Sequence, residues 1–538
     1  MKALAQLTFG LISFSLLAGC GKEIDHAKIK QTGFVYCGQA GPETFNPQLV
    51  DSGITSETLS PQLYDTLLTL DPNSYQPVPN LATRWSVNDS GTEYTFHLRS
   101  GVQFHHTAWF TPTRPLNAQD VVFSFDRIIN ESNPFHRVGG SSYPWFYGID
   151  FQNLVTKVEA TSADEVKFTL SRPDNTFLSN IATSHAVILS QEYANQLQMR
   201  DTKAKLDSQP VGTGPFYLED YQANDLIRLK RHDAYWKHPA LMKQVVFDIS
   251  HRGTGTLAKL LRNECDVLSS PISSQIPIIE ASKKIELTAK PTMNVSFIAV
   301  NTKHPALNDV RVRKALNYAI NRQNILDSVY YGTGTQAYSL LPPDSWAYQK
   351  DTIQIRYDRN YAIALLREAG YDKGLELTMS VPLEPRSYNP SPRKTAELIQ
   401  SNFADIGVRL RIVTDDRFDR QQSLRSDSDL YLTGWIADTG DPDNFLRPLL
   451  SCYSHSAGVN IAGWCNPDFD FLLDLALEVD KMRYRINLYK QAQNILNETF
   501  PVIPLSHGMQ FRAHSKTLTG FRVSPFNAQP FDLVQRVK

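Results

Sequence analysis

The chain has 538 residues, of which 41% are hydrophobic and 20% are charged, a balance that excludes an intrinsically disordered or fibrous protein. Its 54 Lys and Arg residues and 55 Asp and Glu residues give a formal net charge of -1. This near-neutral charge argues against a protein that mainly coats nucleic acid or an anionic membrane. The length predicts about three or four domain-sized units with a large buried core.

The first residues have the pattern of an export signal. Lys2 precedes an almost wholly apolar run from Ala3 to Leu17, which is too short for a membrane span of about 20 residues. We therefore predict that residues 1–19 form a secretory signal peptide. The run ends in Leu-Ala-Gly-Cys20, which resembles the bacterial lipobox, so that Cys20 is the predicted lipidation site. The alternative is a plain cleaved signal with a chance cysteine.

The polar segment that follows, residues 20–28, is predicted to be a lipid-anchored tether. No later segment contains 18 unbroken apolar residues, so the lipid is the expected membrane anchor.

The cysteine count also indicates export. If Cys20 carries lipid, four cysteines remain, which suits two disulfides in an oxidising compartment. Cys452 and Cys465 are 13 residues apart and form the obvious local pair. Cys37 and Cys265 are then left to pair across 228 residues. Free buried thiols or a metal site are the alternatives, but no Cys/His cluster has zinc spacing, so we expect no metal.

Regular hydrophobic patterns predict both strands and helices. Tyr94–Leu98 and Val166–Leu170 alternate with period two and are predicted strands, and Val295–Asn301 is a predicted buried strand. The second half then alternates between helix and strand, which favours an α/β lobe. The first half has more strands and more proline, which indicates a second lobe of different character.

Three apolar stripes at helical spacing lie in the second half of the chain. The first covers 312–320 and is preceded by Asn308-Asp309, which can cap a helix. The second covers 362–369 and stops at Gly370, and the third covers 398–406 and stops at Gly407. A strand is predicted directly after Gly407.

Seven motifs follow one another over nearly the whole chain after the signal. They are Asn80–Trp85, Tyr94–Phe104, Leu116–Phe125, Gly212–Phe216, Asp233–Trp236, Asp309–Ile320 and Gly440–Phe445. Each is weak alone, but the ordered set resembles the family 5 extracytoplasmic solute-binding proteins, the dipeptide- and oligopeptide-binding receptors of ABC importers. Within that family the chain is most similar to the dipeptide-binding branch and its Sap-type relatives, which are linked to antimicrobial peptide uptake and resistance.

The resemblance implies an α/β fold of two lobes, the periplasmic-binding-protein type II fold, with an additional inserted α+β domain. Lobe I is expected to comprise residues 29–64, 211–292 and 508–538, the inserted domain 65–210, and lobe II 293–507. The chain crossings near 292 and 508 are the expected hinge, about which the lobes close on the ligand. The same resemblance implies the disulfides Cys37–Cys265 and Cys452–Cys465.

A receptor for short peptides has to compensate the charges of a zwitterion. Removal of the ligand from water leaves an ammonium and a carboxylate without partners unless the protein supplies them. We therefore expect one carboxylate for the amino end and one cation, preferably a bidentate Arg, for the other end. The distance between these two groups would select peptide length.

Asp438 is the predicted partner of the ligand ammonium. It lies in the Gly-bearing segment 434–445, after the predicted strand that starts at Leu430, and a carboxylate just past a strand end is well placed to face a cleft. In dipeptide-binding relatives the Asp at this place takes the amino group. Asp441 and Asp443 are the alternatives, although they fit a turn or helix cap better. Trp435 is expected to form a pocket wall or to pack in the core.

Arg386 is the predicted partner of the ligand carboxylate. It lies in Pro385–Pro390, before a predicted helix whose N-terminal end favours anions. The segment matches the dipeptide-type Arg-x-Tyr-Asn-Pro pattern, in which the Arg holds the peptide carboxylate. Tyr388 and Asn389 are expected to support the site or to form the turn, while Ser387 and Pro392 depart from the pattern. The alternative is a solvated surface Arg.

The sequence therefore predicts a periplasmic, lipid-anchored and monomeric receptor rather than an enzyme. It is expected to capture short peptides, including antimicrobial peptides, and to deliver them to an inner-membrane ABC permease, without a cofactor or nucleic acid. Two alternatives stay open: haem or a metal chelate as the ligand of the same scaffold, and an exported hydrolase that acts on peptides.

Overall fold

Strands and helices form where the hydrophobic pattern and the capping residues favour them. The computed structural model describes residues 26–38, 41–140, 142–250, 254–349, 356–383, 385–415, 428–457, 459–522, 524–526 and 529–537. The predicted lipidation site Cys20 and the signal peptide lie outside these ranges. None of the helices in these ranges combines the length and the apolar character needed to span a bilayer.

The strands in the described ranges are, in chain order, β1 (Gly33–Cys37), β2 (Leu68–Leu70), β3 (Pro77–Pro79), β4 (Ala82–Val87), β5 (Glu93–Leu98), β6 (Val155–Ala160), β7 (Glu165–Leu170), β8 (Phe216–Gln222), β9 (Leu226–Arg231), β10 (Gln244–Asp248), β11 (Val267–Leu268), β12 (Ile285–Pro291), β13 (Asn294–Val300), β14 (Gly334–Gln336), β15 (Leu375–Pro382), β16 (Val408–Asp415), β17 (Leu430–Ile436), β18 (Val502–Ser515), β19 (Leu518–Thr519) and β20 (Gln535–Arg536).

The α-helices in the same ranges are α1 (His26–Thr32), α2 (Ser60–Leu63), α3 (Ala118–Ile129), α4 (Pro144–Gly148), α5 (Phe151–Leu154), α6 (Phe177–Asn180), α7 (Gln191–Met199), α8 (Lys205–Ser208), α9 (Thr254–Leu261), α10 (Ile276–Glu280), α11 (Val310–Ala319), α12 (Arg322–Ile325), α13 (Arg359–Glu368), α14 (Pro392–Ala404), α15 (Asp443–Leu450), α16 (Cys452–Ser456), α17 (Pro467–Glu478) and α18 (Met482–Thr499). Single turns of 3₁₀ helix occupy Pro47–Leu49 and Ser273–Gln275, and π-helical turns occupy Thr55–Leu59 and Leu326–Tyr330.

The three predicted helices of the second half are present as α11, α13 and α14, and the two helices predicted to stop at a glycine end within three residues of it. The side chain of Asp309 accepts a hydrogen bond from the Arg311 N–H and caps α11, as an N-cap aspartate does. Gly370 follows α13 with a φ of +89°, and Gly407 follows α14 with a φ of +82°. Glycine adopts this left-handed conformation at little cost, which explains why both helices end there.

Strand β18 joins two halves of one large sheet. Its first residues pair with β13 and β14, and its last residues, from Met509 on, pair with β12 and β11. We call the strands β8, β9, β10, β1, β11 and β12 the first half-sheet, and β13 to β17 the second half-sheet. The chain crosses between the two halves again at Thr292–Met293, between β12 and β13.

Residues 65–210 carry a separate antiparallel sheet in the order β4-β5-β7-β6. Its hydrophobic face packs on α3 in a buried cluster that continues under β1 and β10 of the first half-sheet. The same region also reaches the second half of the chain, because the Asn175 N–H donates to the Leu477 carbonyl oxygen at 3.0 Å. This region therefore contacts the first half-sheet and a helix of the second half of the chain, and can present side chains between them.

Helix α1 begins within the last residues of the predicted tether. Ile29, the first residue of the expected lobe I, is only 3% exposed and packs beside Val35, Leu226 and Val246. The apolar Ile29 side chain therefore fixes this helix against β1.

The structure brings both expected cysteine pairs to bonding distance. Cys37, at the end of β1, meets Cys265 with a Cα–Cα distance of 6.0 Å, and Cys452 meets Cys465 with a Cα–Cα distance of 4.5 Å. The first pair ties β1 to the segment before β11 in a buried cluster, and the second closes the loop around α16.

Candidate ligand-binding cleft

Asp438 lies two residues beyond the end of β17, which is an inner strand of the second half-sheet between β13 and β15. The Asp438 N–H donates a hydrogen bond of 2.9 Å to the Asn444 Oδ1 atom in the first turn of α15. A rigid strand and a helix end thus fix the backbone that presents the carboxylate. The Asp438 side chain is 18% exposed.

The Asp438 carboxylate faces two residues of the region 65–210. The indole Nε1–H of Trp145, in α4, donates a hydrogen bond of 2.7 Å to Asp438 Oδ2. The Nδ1 atom of His185 lies 3.9 Å from Asp438 Oδ1. The rings of Trp145 and His185 stack, with centroids 4.9 Å apart and planes inclined by 8°. A carboxylate from one side of the junction is therefore enclosed by aromatic rings from the other.

Helix α4 is held against the second half of the chain at the same place. Gly148 packs on Pro448 of α15, and a Cβ added at Gly148 would lie 3.2 Å from the Pro448 Cβ atom. Gly440, two residues after Asp438, lies near Tyr75 and Phe526, whose rings are 5.1 Å apart. The loop that carries Asp438 thus meets three separate parts of the chain.

The two alternative carboxylates near Asp438 are occupied by fixed cations or donors. Asp441 accepts hydrogen bonds from Arg485 at 2.6 Å, from the Tyr489 hydroxyl at 3.0 Å, and from the Asp443 N–H at 3.0 Å. Asp443 pairs with Arg447 at 2.9 Å, and burial raises the pKa of Asp443 to about 6. Both residues stabilise the start of α15, so Asp438 is the carboxylate among the three that faces across the junction.

Trp435 lies on β17 and is 4% exposed. It belongs to a buried cluster with Met293, Ala437 and Phe445, among others. Core packing, one of its two expected roles, is therefore visible in the structure.

Arg386 begins a tight turn that precedes α14. Its N–H donates to the Asn389 carbonyl oxygen at 2.9 Å, and the Asn389 N–H donates back to the Arg386 carbonyl oxygen at 3.0 Å. The Asn389 side chain is buried, and its Oδ1 accepts hydrogen bonds from the Ser391 N–H at 3.2 Å and the Thr395 hydroxyl at 3.0 Å. Asn389 thus forms the turn, which is one of the two roles that the sequence predicts for it.

Arg386 lines a small cavity of about 30 Å³ between the two halves of the sheet. One wall comes from residues 270–273 after β11, the opposite wall from Tyr330, Thr333 and the Arg386 turn, and the base from Met509 and Phe511 of β18. The hydroxyls of Ser273 and Thr333 lie 2.8 Å apart across this cavity. The half-buried Arg386 therefore lies beside the strand that passes from one half-sheet to the other.

Two glycines allow the Arg386 turn to approach the sheet. A Cβ at Gly434, on β17, would lie 2.3 Å from the Tyr388 ring, and a Cβ at Gly508, on β18, would lie 2.0 Å from the Ser387 carbonyl oxygen. Real Cβ atoms do not approach so closely, so the turn can pack here only because both positions are glycine. The Tyr388 ring thereby packs against β17 at Gly434, which lies four residues before Asp438 along the chain.

Trp145, His185, Gly434 and Gly508 were not predicted from the sequence as parts of the cleft. A glycine within a strand is a general signal of close backbone approach, and Gly434 and Gly508 could have been found in this way. Trp145 and His185 are separated from Asp438 by 293 and 253 residues, and no local pattern connects them.

The arrangement can bind a molecule with opposite charges at its ends. It offers a carboxylate between the second half of the chain and region 65–210, and a guanidinium between the two half-sheets. In the described part of the chain there is no group of three or more His, Cys, Asp or Glu residues that could hold a metal ion.

Comparisons with known proteins give a consistent result. Residues 76–457 match the model of the bacterial extracellular solute-binding proteins, family 5. The peptide transport periplasmic protein SapA of Salmonella typhimurium is 44% identical over 531 residues, which cover 98% of this chain and 96% of that protein. The dipeptide-binding protein of Escherichia coli K12 is 39% identical, over 94% of this chain and 95% of that protein.

A solved structure has the same fold. The dipeptide-binding protein from Pseudoalteromonas sp. SM9913, in complex with Met-Leu, superposes with a TM-score of 0.91 and 40% sequence identity. The match covers 94% of this chain and the whole of that one.

Proposed function

Because the chain belongs to family 5 of the bacterial extracellular solute-binding proteins, we propose that it is a periplasmic receptor that captures short peptides and delivers them to an ABC importer. The observation that carries this proposal is the Asp438 carboxylate, which faces Trp145 and His185 across the junction between separate parts of the chain. Arg386, beside a small cavity between the two half-sheets, supplies a cation.

The fold is the two-lobed type II fold of periplasmic binding proteins with an inserted α+β domain. We assign residues 29–64, 211–292 and 508–538 to lobe I, 65–210 to the inserted domain and 293–507 to lobe II. The change of strand partners within β18 near Gly508, and the crossing at Thr292–Met293, support these as the hinge segments. Two short crossings between packed lobes are typical of a hinge-closing receptor.

The peptide ammonium binds Asp438 and the peptide carboxylate binds Arg386 in the proposed complex. Charge-assisted hydrogen bonds contribute about 1.5–3 kcal/mol each, and Arg can bind a carboxylate through two parallel N–H donors. A buried charge without a partner costs about 3–5 kcal/mol. The two side chains therefore favour peptides with both termini free over blocked peptides.

The mature receptor is proposed to be a monomer anchored to the membrane through a lipid on Cys20. The support is the apolar signal that ends in Leu-Ala-Gly-Cys20. Mass spectrometry of the N-terminal fragment from cell membranes tests this point, because a diacylglyceryl cysteine is far heavier than a free cysteine. An unmodified N-terminus at another residue would reject the anchor and leave the ligand proposal intact.

Native mass spectrometry of protein purified without added ligand tests the proposed function. We expect short peptides to co-purify, and calorimetry to show tight binding of Met-Leu. A bound species with a Soret band would favour haem instead. Cleavage of peptides on prolonged incubation would favour a hydrolase, because a receptor returns its ligand intact.

A further inference from the structure

His185 is a buried polar residue for which the fold provides no hydrogen-bond partner. It is 0% exposed, and in the described part of the chain neither ring nitrogen has a partner. A neutral imidazole carries one donor and one acceptor, and buried polar groups in native proteins are rarely left unsatisfied. Such a group needs an explanation, and a ligand that supplies the partner is one.

The position of His185 indicates which ligand group that is. Its Nδ1 atom lies 3.9 Å from Asp438 Oδ1, which is too far for a direct hydrogen bond. One nitrogen atom placed between them, roughly 2.8 Å from each, would make an angle of about 90° with the two acceptors. That angle is about 20° below the tetrahedral angle between the N–H bonds of a primary ammonium group, so each hydrogen bond would be only about 10° from linear. The spacing of the two atoms therefore suits an ammonium that donates to both.

The electrostatics of the gap suit the same group. Trp145 donates to the other carboxylate oxygen, Oδ2, and stacks on the imidazole, so both acceptors are held in place. Burial lowers the pKa of His185 to about 3, which keeps the ring neutral at physiological pH. A neutral ring can offer a lone pair to a cation, whereas a protonated ring would repel it.

We propose that the Nδ1 atom of His185 is a second hydrogen-bond acceptor for the α-ammonium group of the peptide, beside Asp438. This inference rests on the proposed function and assigns a specificity-determining residue to it. Since His185 comes from the inserted domain and Asp438 from lobe II, the amino-end site is complete only when these two parts meet. A ligand that lacks the primary amine gains nothing from His185.

The test compares Met-Leu with its des-amino analogue, 4-(methylthio)butanoyl-leucine, by direct and competition calorimetry on the full chain. His185→Phe keeps a ring of similar size on Trp145 and removes the acceptor, and His185→Gln returns an acceptor oxygen. His232→Phe is the matched control, because His232 is also buried but already bonds to the Gly214 carbonyl oxygen, at 3.1 Å. Thermal unfolding checks that each variant is folded.

We expect His185→Phe to weaken Met-Leu binding about tenfold and to change binding of the des-amino analogue by no more than about twofold. We expect His185→Gln to recover part of the lost Met-Leu affinity. A parallel loss for both ligands, or no loss for either, would overturn the role of His185 while leaving the receptor function intact. Wild-type protein that binds no free-amine peptide would reject the proposed function and this assignment with it.

A measurement on the wild-type protein makes the test independent of the variants. The ¹⁵N chemical shift of His185 Nδ1 should be that of an unprotonated ring nitrogen and should move when Met-Leu binds, but not when the des-amino analogue binds. A protonated Nδ1 in the Met-Leu complex would exclude an acceptor role.

Discussion

The two charged side chains proposed to hold the ligand termini lie in different surroundings. Asp438 is enclosed, with a hydrogen bond from Trp145, a buried imidazole beside it and a backbone fixed to α15. Arg386 is half-buried in a turn and lines a small cavity of about 30 Å³. A charge fixed by a strand end and a neighbouring ring is better preorganised than one carried by a turn, and a preorganised charge discriminates more strongly between ligands. The amino end of the ligand should therefore be selected more strictly than the carboxyl end.

Replacement of Asp438 should have the largest effect. Asp438→Asn leaves a buried ligand ammonium without its counter-charge, which costs about 3–5 kcal/mol and weakens Met-Leu binding at least about 100-fold. Calorimetry measures the affinity. Asp468→Asn, in the first turn of α17, is the control that should bind as the wild-type protein does. Unchanged affinity in Asp438→Asn would show that the ammonium binds elsewhere.

Replacement of Arg386 should have a smaller effect, because this charge is carried by a turn and is less rigidly held. Arg386→Gln should weaken Met-Leu binding about tenfold to thirtyfold, in line with the loss of a charge-assisted contact. The same substitution should have little effect on a C-terminally amidated peptide, which lacks the carboxylate. An equal loss for the acid and the amide would indicate that Arg386 acts on the fold of the turn and not on the ligand.

A substitution in β17 behind the Arg386 turn tests whether the packing of this turn positions Arg386. Gly434→Ala places a Cβ 2.3 Å from the Tyr388 ring and should displace the turn, which weakens Met-Leu binding up to about tenfold and lowers stability by about 1–3 kcal/mol. Gly440→Ala is the matched control, since its nearest neighbours, Tyr75 and Phe526, lie 3.8 and 4.0 Å away. If both variants bind alike, the close approach of Tyr388 to β17 does not position Arg386.

The smallest expected effect is the contribution of His185, beside Asp438, to the pH dependence of the free energy of unfolding. Burial lowers the pKa of His185 to about 3, so between pH 6.5 and 3 the unfolded chain binds a proton that the folded protein does not. The contribution of this residue to stability is thus present above pH 6.5 and is lost as the pH falls. On going from pH 7.5 to pH 6 the wild-type protein should lose about 1 kcal/mol that His185→Phe retains, measured by urea unfolding. Parallel pH profiles would mean that His185 is not a neutral buried imidazole.

Local patterns predicted much of the architecture. The strands near 94–98 and 166–170, the cap at Asp309 and the helix ends at Gly370 and Gly407 are all present, because periodicity and capping depend on neighbours a few residues away. Helix α1 was not predicted, because its short polar sequence has no hydrophobic periodicity to reveal it.

The order of the motifs identifies the family without any structure, and with it the fold, the cysteine pairs and the choice of Asp438 and Arg386 as candidates. The residues that surround these two side chains become known only from the folded chain. Trp145 and His185 meet Asp438 across 293 and 253 residues, and Tyr388 meets Gly434 from another turn. Such contacts form when separate parts of the chain pack together. No short-range pattern encodes them, because the residues around each partner reflect only the helix, strand or turn that contains it.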